Sequence, residues 1–159
     1  MPRKTTKALI RPAQPDRLYQ SVAVSKLINR VMVDGKKQLA ERLVYNGMQK
    51  AGDKLKVQNP LEVFDQAMNN IKPHLETRSR RVGGANYQIP FEVKGQRQQH
   101  LITMWFVEAA RARGGMSMED RIALELVDAY NSTGNAVKKK EDTHRMAEAN
   151  RAFAHFARS

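Results

Sequence analysis

Arg78, Arg80 and Arg81 crowd into one short run that ends in Val82-Gly83-Gly84, and Tyr87 follows closely. Guanidinium forks match phosphate oxygens two at a time and stack on aromatic rings. A nearby phenol offers a further platform for a base. The chemistry of this run is therefore recognition of phosphates and bases. Lys138-Lys139-Lys140 repeats the signal: three lysines at the start of an expected helix sit poorly with its positive end, so bound anions are expected to compensate. Arg3, Lys4, Lys7 and Arg11 form a third basic stretch, with no acid before Asp16. Such a tail orders on a polyanion such as RNA.

Other chemistry is thinly represented. The histidines are His74, His100, His144 and His155. His144 and Glu148 have the i, i+4 spacing of metal ligands but no third partner, so a surface ion pair is expected and no metal site. The chain has no cysteine, which excludes disulfides, thiolate catalysis and Cys-based zinc sites. Gly83-Gly84 lacks the Gly-Lys-Ser/Thr sequel of a phosphate loop and suits a tight hairpin turn instead. No catalytic constellation converges, so neither an enzyme nor a cofactor is expected.

Composition supports the same direction. With 28 Lys+Arg against 16 Asp+Glu, the net charge is +12 and the pI about 10.2, which calls for a polyanionic partner. A membrane is the lesser candidate. The longest apolar window, Leu101 to Ala112, is too short to span a bilayer and is broken by Thr103, Glu108 and Arg111. Near the N-terminus Arg11, Pro12, Pro15, Asp16 and Arg17 break any signal-peptide core. No membrane partner is expected, and a cytoplasmic location fits. At 159 residues and 41% hydrophobic, one domain with a real core is expected.

The elements that position the charges read as follows. Residues 1–17 form a basic N-terminal arm. Val24, Leu27, Ile28, Val31 and Met32 make a helical stripe that Asp34-Gly35 ends. Leu39, Ala40, Leu43, Val44, Gly47, Met48 and Ala51 make a second, closed by Gly52. Asn59-Pro60 with Glu62 opens a third, and Pro73 stops it. A β-ribbon spans about 74–94. Its base packs through Tyr87, Ile89, Phe91 and Val93, and both faces near its tip stay polar or basic. Leu101, Ile102, Trp105 and Phe106 mark the fourth helix. Arg111 and Arg113 near its end either cap it or meet anions. Ser117 with Asp120 opens the fifth helix, and the sixth runs from about Ala136 to Phe156. The expected fold is mainly α: one domain of about six helices over 18–156, one protruding two-stranded β-ribbon, and a tail at 157–159.

RNA and duplex DNA make different demands. A DNA-bending arm carries an apolar wedge at its tip, and Val82-Gly83-Gly84-Ala85-Asn86 has no large one. Basic groups spread over several elements suit a folded RNA. An architectural DNA-binding protein with a basic β-arm is the alternative.

Long motifs sharpen this. Met32-Val33-Asp34-Gly35-Lys36-Lys37, Ser79-Arg80-Arg81-Val82-Gly83-Gly84, Tyr87-Gln88-Ile89-Pro90 with Glu92-Val93, Ala109-Ala110-Arg111 and Gly134 to Asp142 followed by His144-Arg145-Met146-Ala147-Glu148-Ala149-Asn150 resemble the bacterial and organellar small-subunit ribosomal protein seven family. The resemblance runs from about residue 15 through nearly the whole chain. It implies a helical protein that binds the 3′ major domain of 16S rRNA directly and nucleates assembly of the small-subunit head. It also implies a place beside exit-site tRNA and the mRNA path, with ribosomal proteins nine and eleven as neighbours. The location would be the cytoplasm, or an organelle's stroma or matrix. By motif, Arg78, Arg80, Arg81, Lys94 and Arg97 would belong to the ribbon and its base, with Lys36, Lys37, Arg111 and Arg113 also facing rRNA. Arg81, Val82, Gly83, Gly84, Tyr87, Lys138, Lys139, Lys140 and Arg145 would lie towards tRNA and mRNA. Asn86 replaces a small hydroxyl residue of the family, and the end at His155-Phe156-Ala157-Arg158-Ser159 lacks its aromatic Tyr-Arg-Trp ending.

Overall fold

A computed structural model of the chain describes residues 12–158. Arg3, Lys4, Lys7 and Arg11 of the expected arm lie outside the described residues. Asp16, which the sequence assigns to that arm, is buried. Its carboxylate accepts the N–H groups of Leu18 (3.0 Å), Tyr19 (2.7 Å) and Ser21 (2.8 Å) and the Tyr45 hydroxyl (3.2 Å). Burial, reinforced by the Asp16 charge, holds the Tyr19 and Tyr45 phenols above their usual pKa.

Ser21 opens helix α1, Val22–Val31, by accepting the Val24 N–H. Val24, Leu27, Ile28 and Val31 bury the expected stripe. Asp34 and Gly35, both left-handed, turn the chain into α2, Lys37–Leu55. Helix α2 does not close at Gly52, as the sequence led us to expect. It continues one turn, and the left-handed residue is Lys56 (φ 56°). A Cβ on Gly52 would stand 3.3 Å from the Val57 carbonyl, so this glycine serves close approach rather than termination.

Asn59 caps α3, Pro60–Ile71, by accepting the Leu61 N–H, and its amide donates to Glu62 Oε1 (3.3 Å). Strands β1, Leu75–Val82, and β2, Ala85–Glu92, pair antiparallel from Leu75↔Glu92 to Val82↔Ala85. Helix α4, Gly95–Ala112, follows, then α5, Met118–Tyr130, which Ser117 caps through the Asp120 N–H.

Helix α6 is Gly134–Ala149, shorter than the expected helix to Phe156. At Asn150 the chain tightens into a 3₁₀ helix, Arg151–Arg158. The Asn150 side chain donates to the Met146 carbonyl (2.7 Å), and Phe153 N–H bonds three residues back to Asn150. In a 3₁₀ helix residues i and i+3 eclipse, so Phe153 and Phe156 stand on one side.

The described residues thus form six α-helices, one 3₁₀ helix and one two-stranded ribbon, a mainly α fold. Phe64, Phe106, Leu27, Ile122 and Leu126 are wholly buried at its centre. Helix α5 packs on α2, α3 and α4. Gly47 lets α2 approach α5, because a Cβ there would meet Ile122 Cγ2 at 2.7 Å. Asn46 and Lys50, flanking it, both hold Glu119 at the start of α5.

Candidate nucleic-acid interface

The ribbon aims its charge in a specific way. Gly83 (φ 57°) and Gly84 (φ 88°) make a two-residue turn with both φ positive, which side chains resist. A Cβ on either would meet nothing within 4 Å, so the tip stands clear of the body. Arg78 pairs with Ile89, Arg80 with Tyr87 and Arg81 with Asn86. Directly opposed residues share a face. Arg78 and Arg80 therefore flank the apolar stripe of β2, while Arg81 lies on the opposite face with Ser79 and Gln88.

One of these faces is covered. The Tyr87 ring packs on Phe153 (5.1 Å) and Phe156 (5.3 Å), and Arg80 Nη1 donates to the Phe156 carbonyl (3.1 Å). The expectation that both faces near the tip stay polar or basic is corrected on the Tyr87 face, which the C-terminal 3₁₀ helix covers. Its two phenylalanines supply the apolar partner that the ribbon alone lacks. The basic residues left open at the tip are Arg81 and the outer part of Arg80.

At the ribbon base, Glu76 is buried between two arginines. Its Oε1 accepts Arg78 Nε at 2.5 Å, and its Oε2 accepts Arg97 Nε at 3.0 Å. Burial pushes the Glu76 pKa up, but the hydrogen bonds and charges of Arg97 and Arg78 outweigh it and hold the carboxyl below its usual value. Arg78 also lies over the Phe91 ring, 5.4 Å from its centre. Lys94 pairs with Glu92 at 2.8 Å.

Helix α6 packs along β1. Lys138 and Lys139 are exposed, and Lys140 donates to the Asn70 carbonyl (2.6 Å) near the end of α3. Because α6 starts at Gly134, the lysines stand in its second turn. The dipole penalty argued from the sequence is therefore small, since that effect fades within the first turn. Arg145 is exposed and pairs with Asp142. His144 makes no ion pair with Glu148, contrary to expectation. It accepts the His74 N–H through Nε2 (3.0 Å), and Glu148 pairs with Arg151 instead. Burial first, then the nearby His74 and Lys140, lowers the His144 pKa.

A second basic surface lies at the other end of α4. Lys36, Lys37 and Arg42 line a shallow hollow of about 640 Å³ on the start of α2. Arg111 joins Lys36 in an adjoining cleft with Val33, Leu39 and Met118, and Arg111 Nη2 donates to the Val31 carbonyl (3.4 Å). Arg42 escaped the sequence reading. Its only signal is that it follows Lys37 on the polar side of α2. Arg113 is taken up internally, bonded to the wholly buried Glu125 and to Asp128. Arg97 and Arg111 are separated by fourteen helical residues, about 21 Å along α4. Exposed cations thus stand at both ends of one rigid element, a span that suits the many-sided phosphates of a folded nucleic acid.

The family described as Ribosomal protein S7p/S5e matches residues 2–151. The chain belongs to that family. Three relatives bear the same description, small ribosomal subunit protein uS7. The one from Kosmotoga olearia is 57% identical over 150 residues, covering 94% of this chain and 96% of the relative. That from Chloroflexus aggregans is 55% identical over 148 residues (93% and 94%). That from Protochlamydia amoebophila is 51% identical over 146 residues (92% and 93%). The family match takes in the ribbon, α6 and both basic surfaces. Among the described residues no helix is long and apolar enough to cross a membrane.

Proposed function

We propose that this chain is a non-enzymatic component of the small ribosomal subunit that binds the 3′ major domain of 16S rRNA directly and nucleates assembly of the subunit head. Family membership supports the ribosomal setting. The observation that carries the RNA-binding reading is the pair of exposed basic surfaces at the two ends of α4, one built on the α1–α2 turn and one on the ribbon with α6. Lys36, Lys37, Arg42 and Arg111 hold rRNA at the first. Arg78, Arg80, Arg81, Lys94 and Arg97 hold it at the second, and the N-terminal arm adds Arg3, Lys4, Lys7 and Arg11. The free tip, Arg81 to Gly84, and the exposed Lys138, Lys139 and Arg145 face exit-site tRNA and the mRNA path. Tyr87 contributes by stiffening the ribbon against Phe153 and Phe156. Proteins nine and eleven of the small subunit are its neighbours, and the ribosome sets its cytoplasmic or organellar location.

The test is a filter-binding comparison of a 16S head-domain fragment with duplex DNA of equal length at physiological salt. Preference for the RNA by two orders of magnitude or more is expected. Equal affinity would favour the architectural DNA-binding reading and overturn this one.

A further inference from the structure

We infer that Glu76 is a positioning residue that builds, from Arg78 of the ribbon and Arg97 of α4, a seat for one backbone phosphate of the bound RNA. The inference rests on the RNA-binding reading above and specifies one of its contacts.

The geometry is that of a prepared site. The Glu76 side chain is 7% exposed, yet the arginine side chains on it remain 55% and 50% exposed. Each arginine is held along the same edge. Arg78 uses Nε and Nη2 on Oε1, and Arg97 uses Nε and Nη2 on Oε2. Nη1 of each makes no hydrogen bond among the described residues. Both guanidiniums are anchored on one carboxylate, so two held cations stand at one place on the ribbon base with their Nη1 ends free. A backbone phosphate taken up there meets both. The trio carries one net positive charge, so an anion is still attracted. The Phe91 ring lies under Arg78, 5.4 Å from its guanidinium carbon, and adds a second contact that holds it. Glu92, another acid at the ribbon base, is occupied by Lys94 and does not compete.

A carboxylate beside an RNA site should weaken binding by simple charge. Its compensating role is to order two long side chains before the ligand arrives, so that less freedom is lost on binding. The two effects have opposite signs, which makes them separable.

The experiment measures affinity for the 16S head-domain fragment across a salt series, with thermal melts of each free protein. Wild type is compared with E76Q, with R97K and with E108Q. Glu108 is exposed on α4, so E108Q makes the same change in net charge away from the seat. E108Q should bind as wild type or slightly tighter. E76Q should bind about tenfold weaker despite its added net positive charge, and log affinity should lose about 0.7–0.9 of its slope against log salt, the share of one phosphate. R97K keeps a cation on Glu76 but removes the fork, and should weaken binding several-fold with little change in melting. E76Q as tight as E108Q would overturn the seat, as would R97K at wild-type affinity should E76Q fail to fold. A slope loss of several units would mean that the whole ribbon had detached, and would also overturn it. Wild type with no preference for the RNA over duplex DNA would overturn the functional reading itself.

Discussion

Glu125 meets its charge from two directions while wholly buried. Arg113 Nε (2.9 Å) and Nη2 (2.5 Å) bind Oε2, and the Ala136 N–H in the first turn of α6 binds Oε1 (3.0 Å). The carboxylate thus caps α6, a role that the Thr133 side chain leaves open. Gly134 makes room for it, since a Cβ there would stand 2.9 Å from Asp128 Cβ and 3.2 Å from Glu125 Oε1. Burial lowers the Arg113 pKa, but the bonds to Glu125 and Asp128 outweigh it and raise it. Removing one partner of a buried pair strands the other, so E125A should lose about 3–5 kcal/mol in urea unfolding. E125Q keeps the Oε1 acceptor and should lose less; equal losses would show that the α6 cap contributes nothing. His144 offers a pH test. Its folded pKa is lowered, and its Nε2 must be unprotonated to accept the His74 N–H. The neutral form is the stable one, so this contribution is complete above the unfolded pKa of about 6.5 and is lost as pH falls through the lowered folded value. The stability difference between wild type and H144A should shrink between pH 7 and pH 5 in parallel urea titrations. These two residues also mark what a sequence can reveal. Ser117 and Asn59 were legible as caps because their partners lie two or three residues away. Glu125 and His144 were not, because Arg113, Ala136 and His74 reach them only through the tertiary fold.

Among the elements, the ribbon and the C-terminal 3₁₀ helix depend on each other. A two-stranded ribbon is marginal alone, and its apolar stripe runs out to Tyr87. Phe153 and Phe156 extend the body beneath that ring. Truncation after Asn150 should leave the helices folded but raise hydrogen exchange in β1 and β2 near the turn by tenfold or more, with Tyr87 becoming accessible to a soluble quencher. Unchanged exchange would mean that the ribbon is held by α6 and its own pairing. The α2–α5 contact has a sharper tolerance. Ile122 is wholly buried and cannot withdraw from a methyl group placed on Gly47 at 2.7 Å. G47A should therefore cost about 1–3 kcal/mol by overpacking, even though alanine favours helix, and a rise in melting temperature would refute this. The helical stripes of α1, α3, α4 and α5 were readable because burial on one side imposes the 3.6-residue period. Gly52 misled because a glycine inside a helix and one beyond its end look alike until the neighbour it admits, here the Val57–Pro60 turn, is seen. The break at Asn150 misled because helical spacing continues in the sequence after the backbone tightens.

At the scale of the whole molecule, the question is whether the two basic surfaces act as one site or two. Arg97 and Arg111 are about 21 Å apart along α4. This exceeds the screening length of about 8–10 Å at physiological salt, so the charges at one end hardly feel those at the other. Among the described residues no side chain is shared between the α1–α2 hollow and the ribbon. Independent sites have additive free energies, and each phosphate released to solvent takes about 0.7–0.9 from the salt slope. The K36A/K37A variant at one end and R80A/R81A at the other should each lower the slope by one to two units for the head-domain RNA. The quadruple variant should lose the sum, within about 0.5 kcal/mol in binding free energy at any one salt concentration. All four side chains are exposed, and among the described residues only Arg80 of the four makes a hydrogen bond to the protein, through the Phe156 carbonyl, so melting of the free proteins should hardly change. Duplex DNA should respond differently. A rigid rod touching one surface at a time would lose affinity on mutation of only one end, and the quadruple variant would add nothing to that loss. Strong coupling between the ends on RNA would instead mean that α4 presents a single continuous face. The contrast between additivity on RNA and one-ended loss on DNA therefore tests whether the spacing along α4 selects a folded RNA.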